Sequence, residues 1–229
     1  MKNFLAKNKG NFKAMLPTVI YLTIYLIWWG YLERNITTDY TVIHMGIDDY
    51  IPFCEFFVVP YMLWFPYMIA FGIYYFSQKE KGDYYRLITF LFTGMTIFLM
   101  ISTFFPNGHH LRMIGSFPRY NVFSKAVSML WRTDTPTNLW PSIHVYNSLG
   151  VYFSIANSER LKSNWLVRIP ALILTGLIIA STLLIKQHSM FDVITGFIMA
   201  AVIYALVYMY DIVFVVRTAN SERRNRAKA

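Results

Sequence analysis

The sequence predicts an all-α polytopic membrane protein: six transmembrane helices in one bundle, with both termini on the cytoplasmic side. Three observations carry this expectation. Hydrophobic residues fill 56% of the 229 positions and charged residues only 14%, against about 25% charged in an ordinary soluble domain. That leaves too few polar side chains to cover a soluble globule, and the 18% aromatic content suits rings anchored at lipid headgroups. Apolar stretches run over about 16–32, 51–76, 87–105, 141–157, 166–185 and 190–215, each near the length of about 20 residues that a bilayer requires. Finally, Lys and Arg are split unevenly between alternate connections, as cytoplasmic loops demand.

The first run follows Lys2, Lys7, Lys9 and Lys13 without a small-residue cleavage site, so it reads as a retained signal anchor. The second contains Pro52, Pro60 and Pro66, which remove backbone donors and are expected to kink it. In the sixth, Gly196 and Ala200 form a small-xxx-small pair that permits close packing. With the N-terminus inside, the inner segments hold Lys2, Lys7, Lys9, Lys13, Lys79, Lys81, Arg86, Arg160, Lys162, Arg168, Arg217, Arg223, Arg224, Arg226 and Lys228. The outer segments keep Arg34, Arg112, Arg119, Lys125, Arg132 and Lys186.

The chain accordingly divides into residues 1–83 with two spans, a core over 84–215 with four, and a basic cytoplasmic tail over 216–229. The net charge of +9 is distributed between apolar runs and not gathered on one soluble face, which argues against nucleic acid as a partner. The single cysteine, Cys54, allows neither an intrachain disulfide nor a cysteine zinc cluster.

Chemistry gathers in three clusters on the outer side: Phe105–Arg112 (FPNGHHLR), Asp134–His144 (DTPTNLWPSIH) and Lys186–Asp192 (KQHSMFD). They are distant in sequence but lie at one membrane face, where a compact bundle can bring them together. Ionisable groups at membrane depth are costly unless paired or facing water, which makes His144, His188 and Asp192 candidates for function. His188 and Asp192 are four residues apart and share a helix face, so the carboxylate can fix the imidazole tautomer and leave the other ring nitrogen as a nucleophile. His144 follows Pro141 and Ser142 at a helix start whose free N–H groups suit a phosphate, and it can act as a general acid. Arg112 and Lys186 supply positive charge in the same region.

These residues resemble the type 2 phosphatidic acid phosphatases, the lipid phosphate phosphatases that share their core with vanadium haloperoxidases. The resemblance covers roughly residues 84–215. The family motif PSGH is similar to Pro141, Ser142, Ile143 and His144, and SRxxxxxHxxxD is similar to Ser181, His188 and Asp192. KxxxxxxRP is represented by Arg112 alone, with Phe105 and Met113 at the lysine and proline positions, and Thr182 replaces the arginine of SRxxxxxHxxxD. The resemblance implies a metal-independent lipid phosphate phosphatase without cofactor. His188 would be the nucleophile that forms a phosphohistidine, Asp192 its orienting carboxylate and His144 the acid. Arg112, Lys186 and Ser142 would bind the phosphate. Phosphatidic acid, phosphatidylglycerol phosphate and polyprenyl diphosphate are the substrates expected, with the site on the extracytoplasmic face of a bacterial plasma membrane.

Other readings remain open at this level. The KQH and PSIH spellings resemble a branch with inositol-phosphorylceramide and sphingomyelin synthase-like proteins, so an alcohol can replace water as acceptor. A non-catalytic channel or transporter would use the histidines as a proton relay, and a degenerate family member would keep the fold alone. His109 and His110 with His144 and His188 are a weak candidate for a metal site. Asn107, Thr135 and Asn138 read as turn residues that can line the mouth, and His44, Asp48 and Asp49 read as a solvated loop. Asn35, Ile36 and Thr37 match a glycosylation acceptor.

Overall fold

The computed structural model describes residues 9–113, 115 and 117–211, and seven α-helices dominate them. Helix α1 (Lys9–Asn35) leads through a short strand β1 (Thr41–Val42) and 3-10 turns at Gly46–Asp49 and Glu55–Phe57 into α2 (Val58–Ser77). α3 (Gly82–Phe104) is followed by strand β2 (Asn107–Gly108) and the amphipathic helix α4 (Val122–Thr133). α5 (Ile143–Asn157), α6 (Trp165–Leu184) and α7 (Met190–Tyr204) complete the bundle, and a π-helical turn (Ala205–Met209) extends the last.

Among the described residues, five helices are long and apolar enough to cross a membrane: Met15–Asn35, Glu55–Ser77, Gly82–Phe104, Trp165–Leu184 and Met190–Met209. Exposed Ile169, Leu172, Ile173 and Leu177 on α6, and Ile194, Ile198 and Val202 on α7, recur at helical spacing as lipid-facing stripes do. These features are consistent with an integral membrane protein. The stretch expected as a fourth span is different. α5 has 15 residues, about 22 Å of helix at 1.5 Å per residue, and it is wrapped by α2, α3, α6 and α7. Its buried Asn147, Ser148 and Ser154 show why: this helix faces protein, not lipid.

Proline fixes several boundaries. Pro52 precedes α2 and Pro60 sits in its first turn, where the missing N–H is harmless, so only Pro66 lies inside that helix. α3 stops at Phe104 because Pro106 pushes Phe105 out of the helical region, to φ −135° and ψ 76°. α4 was hidden between two apolar runs; Asn121 starts it by accepting the N–H groups of Phe123 (2.9 Å) and Ser124 (3.0 Å). The basic tail over 216–229 and the lysines at positions 2 and 7 lie outside the described residues.

Helices alternate in direction, so the three outer clusters meet at one end. At the opposite end Arg86 is bonded to both carboxylate oxygens of Asp211 and Ser158 Oγ donates to Asp83 at 2.7 Å. The bundle closes tightly around α5. A Cβ on Gly94 of α3 would lie 2.1 Å from the Tyr146 ring, and one on Gly150 would lie 2.5 Å from Phe90. Tyr146 donates its hydroxyl proton to Phe90 O at 2.6 Å across that seam. Gly196 brings α7 against Ser142 and Val145, where a Cβ would lie 3.1 and 3.2 Å away, the close packing that its small-xxx-small pairing with Ala200 permits. Gly94→Ala should therefore destabilise the protein by about 1–3 kcal/mol through overpacking. Gly72→Ala, where a Cβ meets nothing within 4 Å, should be close to neutral. Unfolding midpoints of the two variants in detergent check both.

Candidate active site

Three loops are sewn together at the site end of the bundle. β1 and β2 pair in parallel, Thr41 with Asn107 and Val42 with Gly108, and Gly108 also bridges Thr137. The Asn107 side chain holds the next loop, its Oδ1 accepting the N–H groups of Leu139 and Trp140, each at 2.9 Å. Asn107 is thus a buried organiser of the 134–141 segment, which ends at Ser142. Ser142 N donates to Asp192 O at 3.1 Å, and Ser142 caps α5 by accepting the Val145 N–H. The starts of α5 and α7 consequently abut.

That abutment puts three predicted residues in a line. His144 Nδ1 is 3.3 Å from His188 Nε2, and His188 Nδ1 is 3.4 Å from Asp192 Oδ2. The same Oδ2 accepts the Ser189 N–H at 2.9 Å, so it acts as an acceptor. These contacts admit an arrangement in which His188 Nδ1–H points to Asp192, its Nε2 carries a lone pair, and His144 Nδ1–H donates to that lone pair. Burial, aided by the charge of Arg112, pushes the His188 pKa down to about 3, which keeps the imidazole neutral at ordinary pH. The His144 ring packs between Tyr61 and Trp64 of α2, each centroid 4.6 Å away.

The expected phosphate ligands are placed differently. Arg112 is inside the cluster but donates to the carbonyls of Trp131, Asp134 and Thr135 at 3.3, 2.5 and 3.0 Å, fastening the end of α4; its buried Nε has no hydrogen-bond partner among the described residues. Lys186 adopts φ 55° and donates to Asp48 O and Ile51 O at 2.9 and 2.6 Å. It ties the first loop to the histidine segment and does not line the cavity described below. Ser142 is fully buried at the joint between α5 and α7.

Other loop residues differ from a solvated reading. Asp48 is 1% exposed because it caps α7 from outside, accepting Met190 N–H at 2.7 Å, Ser189 Oγ–H at 2.6 Å and Met45 N–H at 2.8 Å. His44 and Asp49 form an exposed pair at 2.9 Å. His109 donates from Nε2 to Gln187 O at 2.9 Å while its Nδ1 accepts the Leu111 N–H. Burial lowers its pKa to about 4, and both ring nitrogens already have protein partners. Among the described residues no group of three His, Cys, Asp or Glu side chains is placed to hold a metal ion.

Beside the line lies a cavity of about 400 Å³ between α1 and α2. Tyr25, Leu26 and Trp29 form one wall, Tyr61, Trp64 and Phe65 another, and His144 and His188 line it as well. Leu26 and Phe65 are 59% and 47% exposed, so the cavity reaches the flank of the bundle where lipid tails would lie. Glu33, Tyr61 and Trp64 were not legible as site residues, because they sit in spans whose apolar pattern explains them without a ligand. Only the acidic residue in an otherwise apolar stretch, Glu33, offered a signal. Family models, curated proteins and solved structures contain no match to this chain.

The neutral, buried histidines set a pH dependence. Unfolded, His109 and His188 titrate near 6.5, but folded near 4 and 3. The unfolded chain therefore binds more protons below pH 6.5, and each histidine removes stability as pH falls, by up to about 1.4 kcal/mol per pH unit. Asp134, raised to about 6 chiefly by burial, acts in the opposite sense between pH 6 and 4. Comparison with His188→Gln isolates the histidine. The wild type should lose more stability than this variant between pH 6.5 and 4, read as the difference in unfolding midpoints.

Proposed function

We propose that the protein is a membrane lipid phosphatase that transfers a phosphoryl group from a lipid phosphate ester to His188 and then to water. The observation that supports it is the line His144–His188–Asp192 at the closed end of an apolar cavity. Its proton arrangement is the one that covalent phosphoryl transfer needs. His188 Nε2 offers the lone pair, Asp192 accepts the proton on Nδ1 and stabilises the charge that develops, and His144 presents Nδ1–H to a leaving oxygen. The resemblance of the two motifs to lipid phosphate phosphatases gives the same roles to the same residues.

In this reading, six membrane crossings with α5 as the short central one place the site on the extracytoplasmic side, where the cation distribution puts it. The 3.3 Å contact between the imidazoles occupies the space that phosphorus must enter at about 3 Å from the nucleophile. Substrate therefore replaces the hydrogen bond between them, and the His144 ring swings toward the leaving oxygen. The N–P bond forms as the P–O bond to the lipid alcohol breaks, and His144 supplies that alcohol's proton. Water then attacks the phosphohistidine, gives its proton to His144 and restores His188. Charge on the phosphoryl oxygens meets the first-turn N–H groups of α5 and the guanidinium of Arg112 behind them.

A panel of lipid monoesters, diphosphates and diesters, incubated with the purified protein and assayed for released phosphate or phosphorylated headgroup, tests this. His188→Ala should abolish release, by at least about 10³-fold. His144→Ala should lose about 10²–10⁴-fold on lipids but far less on a nitrophenyl ester, whose leaving group needs no proton. Equal release by wild type and His188→Ala removes His188 as nucleophile.

A further inference from the structure

The wall of the cavity nearest the histidines carries chemistry that phosphate capture leaves unused. Among the described residues that line it, Glu33 and Asp134 are the only Asp, Glu, Lys or Arg. A site for a dianion alone would not present two carboxylates and no cation. Neither carboxylate belongs to the histidine line. Glu33, in the last turn of α1, is held by Thr135 N–H (3.3 Å), Thr135 Oγ–H (2.5 Å) and Asn138 Nδ2 (3.3 Å). Asp134 Oδ2 accepts Gln187 Nε2 at 2.9 Å, with Arg112 at 3.8 Å, while Oδ1 makes no hydrogen bond among the described residues.

Asn138 adds a third acceptor. It is 4% exposed, its Nδ2 is engaged by Glu33 and Thr137, and its buried Oδ1 has no partner among the described residues. An acceptor left buried without a donor is unfavourable, and this residue stands in the wall of the same cavity, holding Glu33 there. Trp29, Tyr61 and Trp64 line it too, and aromatic rings attract cations. Burial and the neighbouring Glu33 push the Asp134 carboxyl up to about 6 despite Arg112, a disfavoured charge that a bound cation would relieve.

We propose that Glu33, Asp134 and Asn138 form a headgroup subsite for a protonated primary amine. The lipid taken by this site is then a zwitterionic phosphodiester whose headgroup carries an ammonium beside the phosphate, in preference to a dianionic monoester. The inference rests on the reading that phosphorus docks at His188. A diester brings one negative charge near the carboxylates where a monoester brings two, and its ammonium supplies a donor to Asp134 Oδ1 and positive charge to Glu33. In the reaction, His188 Nε2 bonds to phosphorus as the P–O bond to the lipid alcohol breaks, and that alcohol takes its proton from His144. The intermediate carries the amino headgroup on phosphorus. Water then attacks phosphorus, passes its proton to His144 and releases a phosphorylated amino alcohol.

Quenching of tryptophan fluorescence by lysophosphatidylethanolamine and by lysophosphatidic acid, measured on the full chain carrying His188→Ala, reads binding without turnover. The amine lipid should bind at least tenfold more tightly. Adding Glu33→Gln or Asp134→Asn, which keep the side-chain shape, should reduce that preference to threefold or less. Tighter or equal binding of lysophosphatidic acid overturns the proposal, as does a preference that both substitutions leave intact. Should Glu33→Gln fail to fold, Asp134→Asn decides alone. A retained preference with no turnover of either lipid by the wild type would remove the histidine mechanism and leave the amine subsite standing.

Discussion

The starts of α5 and α7 are pressed against each other, and the histidine pair exists because of that contact. Ser142 N reaches Asp192 O at 3.1 Å, and the approach depends on Gly196, where any Cβ would stand 3.1 Å from Ser142 O and 3.2 Å from Val145 Cβ. Two residues after Ser142 comes His144; four before Asp192 comes His188. A shift of one helix along the other by a single turn, about 5.4 Å, would separate rings now 3.3 Å apart. Glycine at 196 is therefore as much a part of the site as the histidines, although it touches no substrate.

Everything around the joint compensates for burying so much polar backbone there. Helix starts leave N–H groups unpaired, and α7 receives its partners from Ser189 within its own chain segment and from Asp48 across the first loop. Lys186 and Arg112, expected to bind a phosphate, donate to loop carbonyls. Their charge still matters, since Arg112 contributes to holding His188 neutral.

The parts of this arrangement that were legible in sequence are those with short-range spacing. His188 and Asp192 share a helix face by arithmetic, and Pro141 and Ser142 before His144 read as a helix start. The small pair Gly196 and Ala200 also announced close packing. What was not legible required long-range contacts. Asp48 reads as a loop carboxylate until α7 is seen starting against it, and Glu33 reads as the polar end of a span until the 134–138 loop folds onto it. The short, buried α5 is indistinguishable from a span by hydropathy, because a helix packed on four neighbours and a helix packed on lipid bury similar side chains. The twelve-residue α4 was hidden for a different reason: its polar face masks an apolar one that only helical periodicity, and not a hydropathy run, reveals.

The most direct test of the central claim is to trap the covalent intermediate. Protein incubated with a lipid carrying labelled phosphorus and quenched in alkali should retain label that is stable to base, lost in acid and confined to the peptide containing His188. It should accumulate in His144→Ala given a nitrophenyl ester, where water attack lacks its base. Turnover without such label, or label on a different residue, would contradict the account.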